Sequence, residues 1–225
     1  MTSIHHSKSL AQELRPLAVA TAVILLVFAL LGCGSSDEAS HSEHSEHSGH
    51  PTALPAVAAD TLPGTSIYHL SAPWTDHHGL PLALPDLRGG PAVFVMFYGD
   101  CTTACPLLVK AAEDIEEALS DEQRANTSFV MVTFDTDRDT PEKLAAYAAG
   151  KGLDGPNWHW LVGSPLQTRQ LATLLGVQYR DAGNGMFAHS NLVTVLDRDG
   201  VPLTRLEGLG VALEPAVAAI VSALR

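Results

Sequence analysis

Basic residues are scarce. Lys and Arg number 13 against 25 Asp and Glu, a formal net charge of −12 over 225 residues. The chain therefore lacks the basic footprint that holds a phosphate backbone, and no nucleic-acid partner is expected. Cysteine is scarcer still, with three residues, which excludes a small domain stapled by disulfides. Aromatic residues make up 6%, and no apolar run reaches the roughly 20 residues that cross a bilayer as a helix. What the chain does have is 46% hydrophobic residues against 17% charged, with a mean hydropathy of +0.11. That is enough for one packed domain with appendages and too much for a wholly disordered protein.

Residues 1–32 read as a targeting segment. Lys8 and Arg15 precede an apolar run from Leu17 to Leu31, and small residues follow it in LLGCGSS. A basic start, an apolar stretch of this length and small residues at its end are the marks of a secretory signal. LLGCGSS also resembles the bacterial lipobox, where cleavage precedes a cysteine that is then lipidated. The resemblance makes residues 1–32 a lipoprotein-type signal peptide and Cys33 the acylated first residue of the mature chain; an uncleaved anchor helix is the alternative. Either reading places the remainder on the exocytoplasmic side of a bacterial cell envelope, held at the membrane. Lys8, Arg15 and the single acid Glu13 fall in the segment, leaving 11 bases against 24 acids, so attachment through a polybasic surface is excluded.

Residues 33–60 are expected to be a disordered tether, because GSSDEASHSEHSEHSGH has no hydrophobic periodicity. Its histidines, His41, His44, His47 and His50, recur every third residue. Imidazole binds copper, nickel and zinc well, so the tract is a candidate auxiliary metal site. A solvated linker that binds nothing is the alternative. PTALPAVAAD closes the tether as extended chain.

Residues 61–225 carry the pattern of one α/β domain. PAVFVMFY (91–98) is a continuous apolar run with β-branched and aromatic residues, a buried central strand. Pro106 suits the first position of a helix over 106–119. This helix places Leu108, Ala111, Ala112, Ile115 and Leu119 inward and Glu113, Glu116 and Glu117 outward. SFVMVTF (128–134) is a second buried strand. Thr140-Pro141 opens a helix to about residue 149, WHWLV (158–162) is a short strand, and Ser164-Pro165 opens a helix ending at Gly176. SNLVTVLDRDGVPLTRLEG reads as a hairpin turning at Arg198-Asp199-Gly200, and LEPAVAAIVSALR as a final helix. This order is that of a thioredoxin-like sandwich, a central mixed sheet with helices on both faces.

Chemistry concentrates at Cys101 and Cys105, in the loop between the first strand and its helix. Unpaired amides and the positive end of the helix dipole favour a thiolate there, and a cysteine so placed becomes both nucleophile and metal ligand. Two soft thiolates select copper(I), and a third donor would close the site. His189, before the apolar strand NLVTVL, is the candidate, with a purely structural histidine as the alternative. A structural disulfide between Cys101 and Cys105 is a further alternative, but so short a loop stabilises by only roughly 2 kcal/mol. Met186 is a possible soft ligand or a gap-filler. His69, His77, His78 and His159 read as surface or turn residues.

FVMFYGDCTTACP, VTFDTDRDTPEKLAAYA and FAHSNLVTVLDRDG, in this order, resemble the Sco/SenC family of copper chaperones, which assist assembly of the copper A centre of cytochrome c oxidase. The resemblance spans about residues 65–210. It implies a thioredoxin-like fold, copper as the metal, and Cys101, Cys105 and His189 as its ligands. It also implies that the two cysteines cycle between dithiol and disulfide and that the copper-binding subunit of the oxidase is the partner. Asp135, Asp137 and Asp139 match the acidic loop of the family, in a docking or supporting role; turn and capping chemistry is the alternative. The chain departs from the family at Thr102, Thr103 and Ala104, where many relatives carry proline and a bulky hydrophobe, a change that bears on affinity and potential.

Two functions of different kinds follow. In one, a membrane-tethered chaperone delivers copper by ligand exchange, with affinity falling on acidification as its ligands gain protons. In the other, a thiol–disulfide oxidoreductase reduces the cysteines of the oxidase subunit through a mixed disulfide. A thiol peroxidase is weaker: Thr102, Cys105 and Pro106 partly resemble such a site, but Tyr98 stands where its proline belongs.

Overall fold

The computed structural model describes residues 61–225; the expected signal segment, Cys33, and His41, His44, His47 and His50 lie outside the described residues. In chain order the elements are β1 (Trp74–Asp76), β2 (Pro81–Leu82), β3 (Ala92–Phe97), α1 (Ala104–Glu117), α2 (Asp121–Ala125), β4 (Ser128–Thr133), α3 (Pro141–Lys151), β5 (Trp158–Val162), α4 (Pro165–Leu175), β6 (Tyr179–Gly183), β7 (Met186–His189), β8 (Leu192–Leu196), β9 (Pro202–Glu207) and α5 (Glu214–Ala223). Seven strands form one mixed sheet in the order β2-β1-β5-β4-β3-β8-β9, and β6 with β7 forms a separate hairpin. β3, β4 and β5 run parallel, while β8 is antiparallel to β3 and β1 to β5. This is the expected thioredoxin-like sandwich.

Every residue of β3 is buried, because the sheet is covered on both faces and an unbroken apolar run has no polar side to show. Trp158 and Trp160, two residues apart on β5, share one face. The first donates its Nε1–H to Glu116 of α1 at 3.0 Å, and the second packs on Tyr147 of α3 with ring centroids 5.4 Å apart. On β9, Leu206 lines a cavity with Leu107 and Leu108 of α1. Its neighbour Arg205 points the other way and donates Nε–H to the Leu175 carbonyl at the end of α4, at 2.9 Å. Helices α1 and α3 therefore cover one face and α4 the other. Among the described residues no helix is long and apolar enough to cross a membrane.

The start and stop signals act as expected at two helices. Thr140 and Ser164 accept the N–H groups of Lys143 and Gln167, each at 3.3 Å, and Gly152 and Gly176 close α3 and α4 with φ of +71° and +85°. Helix α1 begins at Ala104, two residues before the expected Pro106, which takes the third helical position; its missing N–H is harmless within the first turn. The earlier start puts Cys105 inside the helix. Glu116 is half-buried rather than outward, because it accepts from both Asn157 and Trp158.

Two histidines expected at the surface are corrected by the packing. His77 follows β1 beside β5, is 6% exposed, and accepts the Trp160 N–H at Nδ1. His159 lies within β5 and is half-buried. Burial lowers the pKa of both rings, and His78 and His77, respectively, add repulsion. His69 and His78 are exposed as expected.

Trp160 is fully buried, donates Nε1–H to the Leu153 carbonyl at 2.8 Å and meets Phe97 edge-on at 5.3 Å. Trp160→Ala should cost about 3–5 kcal/mol, read as a lower urea midpoint with unchanged slope.

Candidate metal centre

The central strand β3 ends at Phe97 and delivers the chain to a tight loop, where the Cys101 N–H bonds the Tyr98 carbonyl at 3.2 Å. Thr103 is the N-cap residue of α1 but makes no side-chain capping bond. The Cys101 sulfur takes that task, accepting the Cys105 N–H at 3.3 Å. A helix end with unpaired amides is a ready acceptor of negative charge, so the local fold that orders the loop also favours a thiolate at Cys101.

The two thiols are accordingly unequal. Burial pushes the Cys101 thiol up, but hydrogen bonds from the Cys105 side chain, the Cys105 and Thr103 amides and the Tyr98 hydroxyl outweigh it and hold the group at about 6. Burial and the hydrogen bond with Cys101 raise the Cys105 thiol well above the ordinary range. Both cysteines are buried and unlinked, at 6% and 0% exposure. Tyr147 on α3 is pushed up to about 12, first by burial and then by the two sulfurs.

His189 ends β7 and reaches the same point across 84 residues of sequence. Its Nε2 lies 3.5 Å from the Cys105 sulfur, and its Nδ1 lies 3.0 Å from the Ser190 carbonyl. A carbonyl oxygen only accepts, so Nδ1 carries a proton and Nε2 is the ring nitrogen turned toward the sulfur. The ligand atoms of Cys101, Cys105 and His189 all lie within 4.8 Å of one another, the one such group of three among the described residues. Soft thiolates with one imidazole suit copper. Met186, the other considered donor, is 55% exposed, and strand alternation puts it on the face of β7 opposite His189.

Four aromatic rings seat the histidine hairpin: Phe134 lies 5.1 Å from the His189 ring, Tyr179 stacks on Phe134 at 5.0 Å, and Phe187 packs on Phe134 and Tyr98 at 5.1 and 5.3 Å. None of these four is legible as a site residue from motif spacing. The hairpin itself had a signal, the Asn184-Gly185 pair that favours a tight turn, and Gly183, Asn184 and Gly185 all take positive φ.

The acidic loop divides by burial. Asp139 is 2% exposed and its Oδ2 accepts the Gly99 N–H at 2.8 Å and the Thr133 hydroxyl at 2.5 Å, while Oδ1 pairs with Lys143 at 2.8 Å. Lys143 also reaches Asp100 at 2.9 Å. Asp135 is buried and pairs with Arg138 at 2.5 Å, whereas Asp137 is exposed. Asp139 therefore braces the strand-to-cysteine loop from below.

A family model described as SCO1/SenC matches residues 69–225. A curated SCO1 protein homolog from Bacillus subtilis (strain 168) is 22% identical over 134 residues, 58% of this chain and 69% of its own. ScoI of Bradyrhizobium japonicum, solved with copper bound, superposes with a TM-score of 0.55 at 20% identity, over 68% of this chain and 96% of its own. A SCO1/SenC family lipoprotein from Bacillus anthracis str. Ames gives 0.61 at 22%, over 68% and 92%. At these identities the solved structures establish the shared fold.

The unequal thiols give a direct test. In the reduced protein, thiolate absorbance at 240 nm that is lost in Cys101→Ser should titrate with a midpoint near pH 6. The part lost in Cys105→Ser should appear only in strongly alkaline solution. A single shared midpoint in the ordinary thiol range, about 8.5, would show that the helix end does not bias the pair.

Proposed function

The chain belongs to the SCO1/SenC family, and from that premise we propose that it is a membrane-tethered copper chaperone whose cargo is held by Cys101, Cys105 and His189. The observation that carries the reading is the convergence of two sulfurs and one Nε2 within 4.8 Å at the mouth of the sheet. Cys101 is ready to bind as a thiolate. Cys105 gives up its proton on binding, so copper affinity falls as the solution is acidified. His189 offers Nε2, its ring oriented through Nδ1 by the Ser190 carbonyl. Delivery is ligand exchange: each sulfur–copper bond that breaks here is replaced by a bond to the recipient, and no electron moves. The recipient implied by the family is the copper A subunit of cytochrome c oxidase.

The tether belongs to the same proposal. Cleavage before Cys33 and its acylation would hold the domain on the outer side of the cytoplasmic membrane; the Bacillus anthracis relative is itself described as a lipoprotein. His41, His44, His47 and His50 would serve as an auxiliary copper-collecting tract.

A second reading draws on the split between the thiols. Cys101, as thiolate, attacks a target disulfide and expels one target thiolate. Cys105, once deprotonated, attacks the Cys101 sulfur, releases the second target thiolate and closes the Cys101–Cys105 disulfide. Two electrons pass to the target, and an external thiol reductant must restore the dithiol. This route does not need an imidazole.

His189→Ala separates the two. It should weaken copper(II) binding by more than the roughly 10–100-fold that loss of a supporting partner costs, while leaving thiol–disulfide exchange intact. Unchanged copper affinity would remove His189 from the ligand set, and exchange without any copper binding at the thiols would favour the reductase. For the tether, Cys33→Ser should abolish incorporation of labelled fatty acid and shift the protein from the membrane fraction; retained labelling would refute acylation at Cys33.

A further inference from the structure

The loop from Asp135 to Asp139 touches both halves of the site. On one side, Asp139 holds the cysteine loop through the Gly99 N–H. On the other, its neighbour Arg138 reaches the histidine hairpin: Nη2 donates to the Gly185 carbonyl at 2.6 Å, and the guanidinium carbon lies 5.9 Å from the centre of the Phe187 ring. The same guanidinium pairs with the Asp135 carboxylate at 2.5 Å. Asp135 is 3% exposed, and its own N–H bonds the Thr133 hydroxyl, which in turn donates to Asp139. An unbroken polar chain thus runs from Gly99, beneath the cysteines, through Asp139, Thr133, Asp135 and Arg138 to Gly185, at the turn of the hairpin that carries His189.

Position 185 is built for this contact. A Cβ on Gly185 would lie 1.9 Å from the Arg138 Nη1, and its φ is +76°. Without the contact the hairpin tip has little to hold it, since residues 180–184 are all exposed. Its other attachments lie toward the base: the aromatic cluster, Arg169 over the Tyr179 ring at 5.4 Å, the Phe187 amide on the Tyr98 hydroxyl, and bonds between Gln178 and Ser190, among them the Ser190 N–H to the Gln178 carbonyl at 2.8 Å.

The geometry points to Arg138 as a positioning residue for His189, a latch that fixes the hairpin turn to the buried Asp135 and so holds the imidazole against Cys105. This rests on the copper-site reading. Arg138 touches no ligand atom; it acts through the three residues of chain between Gly185 and His189. The planar fork matters, because the guanidinium meets a carboxylate, a carbonyl and a ring at once, and an ammonium is a point charge that cannot.

The test uses the full reduced chain and three variants, Arg138→Ala, Arg138→Lys and Gly185→Ala, with His189→Ala as reference. In metal-free protein, amide hydrogen exchange over residues 185–189 should quicken in all three, while α1 and β3 exchange as before. With one equivalent of copper(II), loss of the metal to a chelator should be faster by about tenfold or more in all three. The sulfur-to-copper charge-transfer absorption, to which copper held by histidines alone does not contribute, should move toward that of His189→Ala. The 240-nm titration of Cys101 should stay in place, which separates loss of the latch from general damage to the site. Unchanged hairpin exchange and unchanged copper loss in Arg138→Ala would overturn the latch, as would full rescue by Arg138→Lys. Should the unaltered protein take no copper at its thiols, the copper-site reading fails by itself. The exchange rates of the metal-free variants then still decide whether Arg138 seats the hairpin.

Discussion

One hydrogen bond organises the site: the Cys105 N–H to the Cys101 sulfur, at 3.3 Å. It caps α1 where Thr103 does not, closes the loop that brings two sulfurs together, and stabilises charge on the outer sulfur. Structure and reactivity are inseparable here. A helix that must satisfy its first amides recruits the group whose ionisation a metal or a disulfide would require. The cost falls on Cys105, which is buried in the first turn and kept protonated.

The third side chain of the cluster, His189, comes from elsewhere in the chain, so its placement is a problem of tertiary packing. The sheet fixes the cysteine loop through β3, and Asp139 braces it. The hairpin of β6 and β7 stands outside the main sheet and leans on Phe134, Tyr98 and Arg138 instead. One side of the site is thus set by backbone ladders and the other by side chains. The 3.5 Å approach of Nε2 to the Cys105 sulfur depends on both.

Elements whose physics is local were legible in the sequence. β3 and β4 announce themselves as apolar runs, and α3 and α4 by Thr140-Pro141 and Ser164-Pro165 before them and glycine after. The cysteine pair could be placed at a helix start for the same reason, although the start itself lies at Ala104 and not at Pro106. Convergence of His189 on the sulfurs was not legible from spacing, because it depends on β8 pairing antiparallel with β3, a contact that sequence distance does not encode; only likeness to a family suggested it. The burial of His77 and the inward turn of Glu116 were hidden likewise, each decided by a neighbour remote in sequence, Trp160 and Trp158.

Alternation along β7 has its own consequence. Met186 and Ala188 face outward while Phe187 and His189 face the cluster, and β6 already accommodates an irregularity between Asp181 and Gly183. Sliding β7 by a single position along β6 would exchange the two faces wholesale, presenting a methyl group to the cysteines and the imidazole to water. Evolution can therefore lengthen or shorten this ribbon by pairs of residues and keep an imidazole over the sulfurs, whereas an odd change turns it away at a stroke.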